Sequence, residues 1–118
     1  MAERLRFSRV HCLSGRDAFA RVFDARCSAS SGCVIVYALV NDLPYSRLGL
    51  SVGRKHGTAV QRNRIKRLIR EAFRLDRQTL PQGLDLVVVP RPGSQWTLEK
   101  TRSSLLAAAK SVEKRCRR

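Results

Sequence analysis

The sequence predicts a single-domain α+β protein, an α/β sandwich with a small mixed sheet and the element order α-β-β-α-β-α. Three observations lead there. Short apolar runs with strand character, Cys33–Val40 and Leu84–Val89, alternate with longer segments of helical periodicity. A chain of 118 residues suits one compact domain and leaves little room for two. A hydrophobic fraction of 43% with seven aromatic residues calls for a core built mainly from Val, Leu, Ile and Ala.

The first dozen residues are basic and aperiodic and read as an extended arm over residues 1–13. Ser14 is the expected N-cap of the first helix, with Asp17 three residues on as a carboxylate version of the capping box. The helix should run to about Ala25, with Phe19 and Phe23 on one face at i, i+4 spacing. Ser28–Ser31 reads only as a short serine-rich stretch. Cys33–Val40 is β-branched and short, so a buried strand is favoured over a helix. Asn41-Asp42-Leu43-Pro44 is turn chemistry. Arg47–Gly53 then alternates as a half-buried strand does. The short connection predicts that these two strands pair as an antiparallel hairpin.

Gly57 and Thr58 precede the longest predicted helix, Ala59–Arg74, with an apolar ridge of Ile65, Leu68, Ile69, Ala72 and Phe73. Pro81-Gln82-Gly83 ends that region, and Pro90 and Pro92 stop the strand over Leu84–Val89. Thr97 caps a last helix with Glu99 in its first turn; Leu98, Arg102, Leu105, Ala109 and Val112 form its ridge. The folded domain is thus expected over 14–113, with a fraying basic tail over 114–118.

Charge narrows the function. The formal net charge is +15 and the sequence pI is about 11.3. Such a domain repels itself unless it meets a polyanion, and nucleic acid is the commonest one. A membrane surface is disfavoured, because the basic residues recur along the chain and flank no apolar anchor. No signal peptide is visible in the first twenty residues. The four cysteines show no CxxC spacing and read as free thiols of a cytosolic protein; zinc held by His11, Cys12, Cys27 and Cys33 is the alternative.

Residues 54–77 concentrate the charge, with nine Arg or Lys against two acids. On a helix, Arg62, Lys66, Arg70 and Arg74 form one ridge, with Asn63 and Arg67 beside it and the apolar ridge on the other side. Like charges at i, i+4 cost an isolated helix about 0.2–0.5 kcal/mol per pair. Guanidinium forks suit phosphate, so a bound polyanion explains a cost that folding does not. No helix-turn-helix, zinc-finger or zipper pattern points to DNA, and Gly53-x-x-x-Gly57 lacks the features of a nucleotide-binding loop. The nine acids include no close pair suited to two-metal hydrolysis, and His11 and His56 have no partner arrangement for acid–base cleavage.

Arg62-Asn63-Arg64 followed by Lys66-Arg67, Arg70-Glu71 and Phe73-Arg74 resembles the RNR signature of the ribonuclease P protein family. Leu48–Val52 with Lys55, Gly57 and Ala59-Val60 is similar to the strand and loop that lead into it. Asp17–Phe19 with Val22-Phe23, Val36-Tyr37, and Asp85–Val89 with Arg91 extend the likeness in order over most of the chain. The resemblance implies a ribosomal-protein-like fold with a left-handed strand–helix–strand crossover, although general handedness rules favour a right-handed one. It implies a non-catalytic subunit of a bacterial, cytoplasmic ribonucleoprotein that removes the 5′ leader of precursor tRNA. The active site and its Mg2+ would belong to the RNA, with no cofactor assigned to the chain and any metal of its own unspecified. By position, Lys55, Arg62, Asn63, Arg64, Lys66, Arg67, Arg70 and Arg74 would contact the ribonuclease P RNA. Phe19, Phe23 and Tyr37 would line a cleft for the single-stranded leader, where aromatic faces stack on unpaired bases; packing in the core is their other reading. The competing functions are a ribosomal protein or RNA chaperone, and a protein-only nuclease.

Overall fold

The computed structural model describes residues 11–117. Its elements are α1 (Arg16–Asp24), β1 (Ser28–Ser31), β2 (Val34–Val40), β3 (Arg47–Leu50), α2 (Ala59–Asp76), β4 (Leu84–Pro90) and α3 (Leu98–Cys116), with a 3₁₀ turn at Arg54–His56 before α2. The order is therefore α-β-β-β-α-β-α, one strand more than the sequence predicts. Most of the basic arm lies outside the described residues. Its last residues belong to the domain: Leu13 is buried and donates its N–H to Leu48 O at 2.9 Å.

The sheet order is β1-β2-β4-β3. The expected hairpin between the second and third strands does not form. β2 pairs antiparallel with β4, and β3 pairs parallel with β4 from the other side. The reason lies in β4, whose LDLVVVP run is buried at nearly every position. A strand apolar on both faces needs cover on both faces and partners on both edges. A β2–β3 hairpin would leave it at the rim. The Asn41–Ser46 turn instead carries the chain across the end of β4. Asn41 holds it, accepting the Leu43 N–H and donating to Tyr45 O and to Asp85 Oδ1.

The extra strand, β1, is an edge strand in register with β2 from Ser28↔Tyr37 to Ser31↔Val34. Serine has little strand propensity of its own, so pairing and not composition makes the strand. Gly32 and Cys33 form a two-residue hairpin turn, and Gly32 has φ 52. A Cβ at Gly32 would fall 2.1 Å from Ser104 Oγ, so the missing side chain also lets α3 approach.

α1 covers one face of the sheet and α2 with α3 cover the other, giving three layers. The larger core lies on the α2–α3 side, where Val34, Val36, Leu86 and Val88 meet Ile69, Phe73, Leu105 and Val112. The smaller joins Leu13, Val22 and Val87. Odd positions of β2 turn toward α1 and even positions toward the larger core, as the period of two requires.

The N-cap of α1 is Gly15 at φ 97, with no side-chain cap hydrogen bond, so Ser14 does not cap it. Asp17 still sits in the first turn, where a carboxylate suits the positive end of the helix. Thr58 caps α2 in a reciprocal box with Gln61, and Thr97 caps α3 by accepting the Lys100 N–H at 3.1 Å. On α3, Arg102 leaves the expected buried ridge to pair with Asp76 of α2 at 2.7 Å, while Thr101, Ser104 and Ala108 face inward. The helix continues through the segment expected to fray. Arg117 pairs with Glu113 at 3.1 Å and donates to Gln82 O, Arg115 donates to Ser28 O, and Cys116 Sγ lies 2.7 Å from Cys27 Sγ.

Candidate nucleic-acid interface

α2 presents two faces. Ile65, Ile69, Ala72 and Phe73 are buried, while Asn63, Arg64, Arg67 and Arg70 are exposed and Arg62, Lys66 and Arg74 are half-buried. The ion pairs decide which charges remain available. Arg74 is engaged by Glu71, with Nη2–Oε2 2.5 Å and Nε–Oε1 2.8 Å. That pairing holds the Glu71 carboxyl below its ordinary range and raises the Arg74 guanidinium. Arg62, Arg64, Lys66, Arg67 and Arg70 have no ion-pair partner among the described residues. Asn63, Arg67, Arg70, Glu71 and Arg74 line one shallow groove along the helix. Of the predicted basic residues, Arg67, Arg70 and Arg74 share this groove, and Arg74 is paired with Glu71 within it.

Two buried side-chain polar atoms among the described residues lack a hydrogen-bond partner, His56 Nε2 and Arg62 Nε. Both lie in the segment that enters α2. His56 Nδ1 accepts the Gly53 N–H at 2.9 Å, which leaves the ring proton on Nε2 as an unused donor. A buried donor without a partner costs about 1–3 kcal/mol.

A cleft of about 420 Å³ opens between this segment and the β4–α3 connection. Lys55 and His56 of the 3₁₀ turn and Arg64 of α2 line it from one side, and Arg91 and Trp96 from the other. No carboxylate is among its lining residues. Arg91 and Trp96 are not among the site residues that sequence reasoning assigns. The available signal was a lone tryptophan beside a rigid Arg-Pro-Gly turn, and no periodicity relates that turn to α2.

The three aromatic residues meet on the opposite face of the sheet. Phe23 and Tyr37 are in edge contact, with ring centroids 4.8 Å apart. Phe19, Phe23 and Tyr37 are all half-buried against Leu13, Val22 and Val87. They are therefore neither sealed in the core nor free of it. Phe19 lies over the backbone of Gly49, where a Cβ would fall 2.6 Å from its ring.

Among the described residues no three His, Cys, Asp or Glu side chains gather where they could hold a metal ion. The cysteine–histidine zinc arrangement is not assembled: Cys12 is exposed, Cys27 lies against Cys116, and Cys33 lies against Ser104. No described helix is long and apolar enough to cross a membrane.

A mixed sheet covered by a helix on which Arg62, Arg64, Lys66, Arg67 and Arg70 have no ion-pair partner among the described residues defines a basic α/β sandwich of the polyanion-binding class. The sequence profile of the family described as Ribonuclease P matches residues 7–116. The chain belongs to the ribonuclease P protein family. It is 41% identical over 107 residues to the ribonuclease P protein component of Brevibacillus brevis, covering 89% of this chain and 85% of that one. It is 46% identical over 88 residues to that of Nitrosococcus oceani, covering 74% and 73%. The RNase P protein from Thermotoga maritima superposes with a TM-score of 0.77 at 34% identity, over 85% of this chain and 96% of that chain. The RNase P protein of Staphylococcus aureus gives 0.76 at 30% identity, over 87% and 95%.

Proposed function

We propose that α2 and the loop before it dock on the ribonuclease P RNA, while the cleft between α1 and the sheet takes the single-stranded 5′ leader of precursor tRNA. As a member of its family the chain is a subunit of a ribonucleoprotein endoribonuclease in which the RNA is the catalyst. The observation that carries the docking assignment is the basic side of α2, where exposed Arg64, Arg67 and Arg70 and half-buried Arg62 and Lys66 stand without acid partners among the described residues. Each cation brought onto a phosphate releases condensed counterions, so an unpaired row contributes affinity that a self-neutralised row would not. Lys55 extends the row and Asn63 adds a neutral donor and acceptor within it.

The leader assignment is supported by Phe19, Phe23 and Tyr37, which share one face of the sheet and keep part of each ring accessible. A π-face stacks on any unpaired base, which suits leaders of varied sequence. In this reading the Mg2+ of the reaction is held by the RNA and the substrate. The protein works in the bacterial cytoplasm, does not act on DNA, and contributes binding and positioning. The RNA-binding unit comprises the elements from α1 at Arg16 to α3 at Cys116.

Reconstitution tests the proposal. The purified chain, a bacterial ribonuclease P RNA and precursor tRNA are combined at low magnesium, with each component also assayed alone. Cleavage at the mature 5′ end that needs protein and RNA together is the expected result. A chain that binds structured RNA but adds nothing to cleavage would place this protein among general RNA-binding proteins.

A further inference from the structure

We propose that the cleft between the start of α2 and the β4–α3 connection is a site for one unpaired nucleotide of the docked RNA. This rests on the reading of α2 as the docking helix and adds residues from outside it. The cleft lies in the volume range of small-molecule sites, about 300–1,000 Å³. Lys55, Arg64 and Arg91 supply positive charge with no carboxylate among the lining residues to neutralise it. Neither Lys55 nor Arg64 has an ion-pair partner among the described residues, and Arg91 makes a single long side-chain hydrogen bond, 3.3 Å to Gly32 O. His56 lines the same cleft, and its Nε2 is buried without a hydrogen-bond partner. Three cations match a phosphate with its neighbouring oxygens.

Trp96 distinguishes a nucleotide from a bare anion. It packs against the core on one side and lines the cleft. Indole and guanidinium planes are the two side-chain surfaces best suited to stack on a base. The loop that carries them is stiff. Pro90 and Pro92 restrict the backbone on either side of Arg91, and Gly93 at φ 75 completes the Pro-Gly turn. The Arg91 N–H donates to Cys33 O at 2.9 Å, tying the start of the loop to the β1–β2 turn. Such a site is formed before the ligand arrives, so little ordering cost is left for binding.

Trp96 is the single tryptophan of the chain, so its emission reports on the cleft directly. The full chain is titrated with 5′-phosphorylated pentaadenylate, with inorganic phosphate and with ribonuclease P RNA. The oligonucleotide should quench Trp96, and phosphate should compete without quenching. Arg91→Ala should weaken both RNA ligands and lower the salt slope for ribonuclease P RNA by about one. Trp96→Leu, followed by filter binding, should weaken them about tenfold, within the range for stacking on one aromatic ring. A circular dichroism melt identifies a variant that is merely unfolded, and Arg91→Ala, on an exposed loop residue, keeps the test decisive in that case. Unchanged emission with pentaadenylate, equal quenching by phosphate, or wild-type RNA affinity in Arg91→Ala would each overturn the cleft as a nucleotide site. Arg67 lies outside the cleft. If Arg67→Ala weakens ribonuclease P RNA while the cleft variants do not, the docking helix stands and this inference fails. If Arg67→Ala has no effect, the docking reading itself fails.

Discussion

The Phe19 ring rests on the backbone of Gly49, so that a Cβ at position 49 would lie 2.6 Å from Phe19 Cζ. The contact joins α1 to β3 across the sheet face assigned to the leader. Gly49→Ala should therefore displace the ring and leave the strand in place. The expected outcome is weaker binding of precursor tRNA with a leader and unchanged binding of mature tRNA, measured as separate dissociation constants for the reconstituted enzyme. Phe19→Ala should behave the same way. Equal losses for both RNAs would make Phe19 a packing residue only.

The Glu71–Arg74 pair predicts an asymmetry along α2. Arg62→Ala and Arg67→Ala should each lower the log–log salt slope of RNA binding by about one. Glu71→Gln should do the reverse, strengthening binding by removing a negative charge from the same surface and the ion pair that engages Arg74. Arg74→Ala should cost less affinity than Arg67→Ala. A ranking with Arg74 first would show that the pair opens on binding.

Arg47 and Asp85 hold the parallel β3–β4 edge together, with Nη2–Oδ2 and Nε–Oδ1 both at 2.7 Å. The Asp85 side chain is only 7% exposed, and the hydrogen bond to it raises the Arg47 guanidinium above its ordinary value. Removing one member of a buried pair costs about 3–5 kcal/mol, and the partial exposure of Arg47 places this pair near 3 kcal/mol. Urea unfolding of Asp85→Ala should show that loss. A loss under about 1 kcal/mol would mean that solvent already screens the pair.

His11 supplies a pH signature. Burial first, and the neighbouring Arg77 charge second, lower its pKa from the ordinary 6.5. Arg77 Nη1 lies 3.4 Å from His11 Nδ1, in line with a neutral ring accepting there. The unfolded chain thus binds this proton more readily than the folded one. The contribution is present above about pH 6.5 and is lost as pH falls through the lower folded value. Thermal melts between pH 7.5 and 5 should show stability falling, with a shallower fall in His11→Gln. Parallel curves would assign the acid sensitivity to other groups.

The basic face of α2 was legible because it depends on a period of 3.6 residues and on charge, both local properties. The same holds for the Thr97 cap and for β2 and β4, whose apolar runs need no partner to be seen. β1 was not legible, because Ser28–Ser31 becomes a strand only when β2 offers its edge. The cap of α1 moved from Ser14 to Gly15 because the backbone angle at the entry decides it, and that angle follows from where Leu13 is anchored. Lys114–Cys116 gained helical order from contacts with residues more than thirty positions away.

By itself the sequence determined the class of protein: a small α+β domain, strongly basic, with one amphipathic cationic helix and an ordered likeness to ribonuclease P proteins. Only the tertiary structure decided that β4 lies between β2 and β3, that Glu71 removes Arg74 from the free charges, and that Arg91 and Trp96 share a cleft with Lys55 and Arg64. The physical reason is range. Propensity, periodicity and charge act over a few residues, whereas strand order and cleft formation follow from how a doubly buried strand and two helices bury their apolar faces together. That packing brings residues distant in the chain to one place, and no spacing rule in the sequence encodes it.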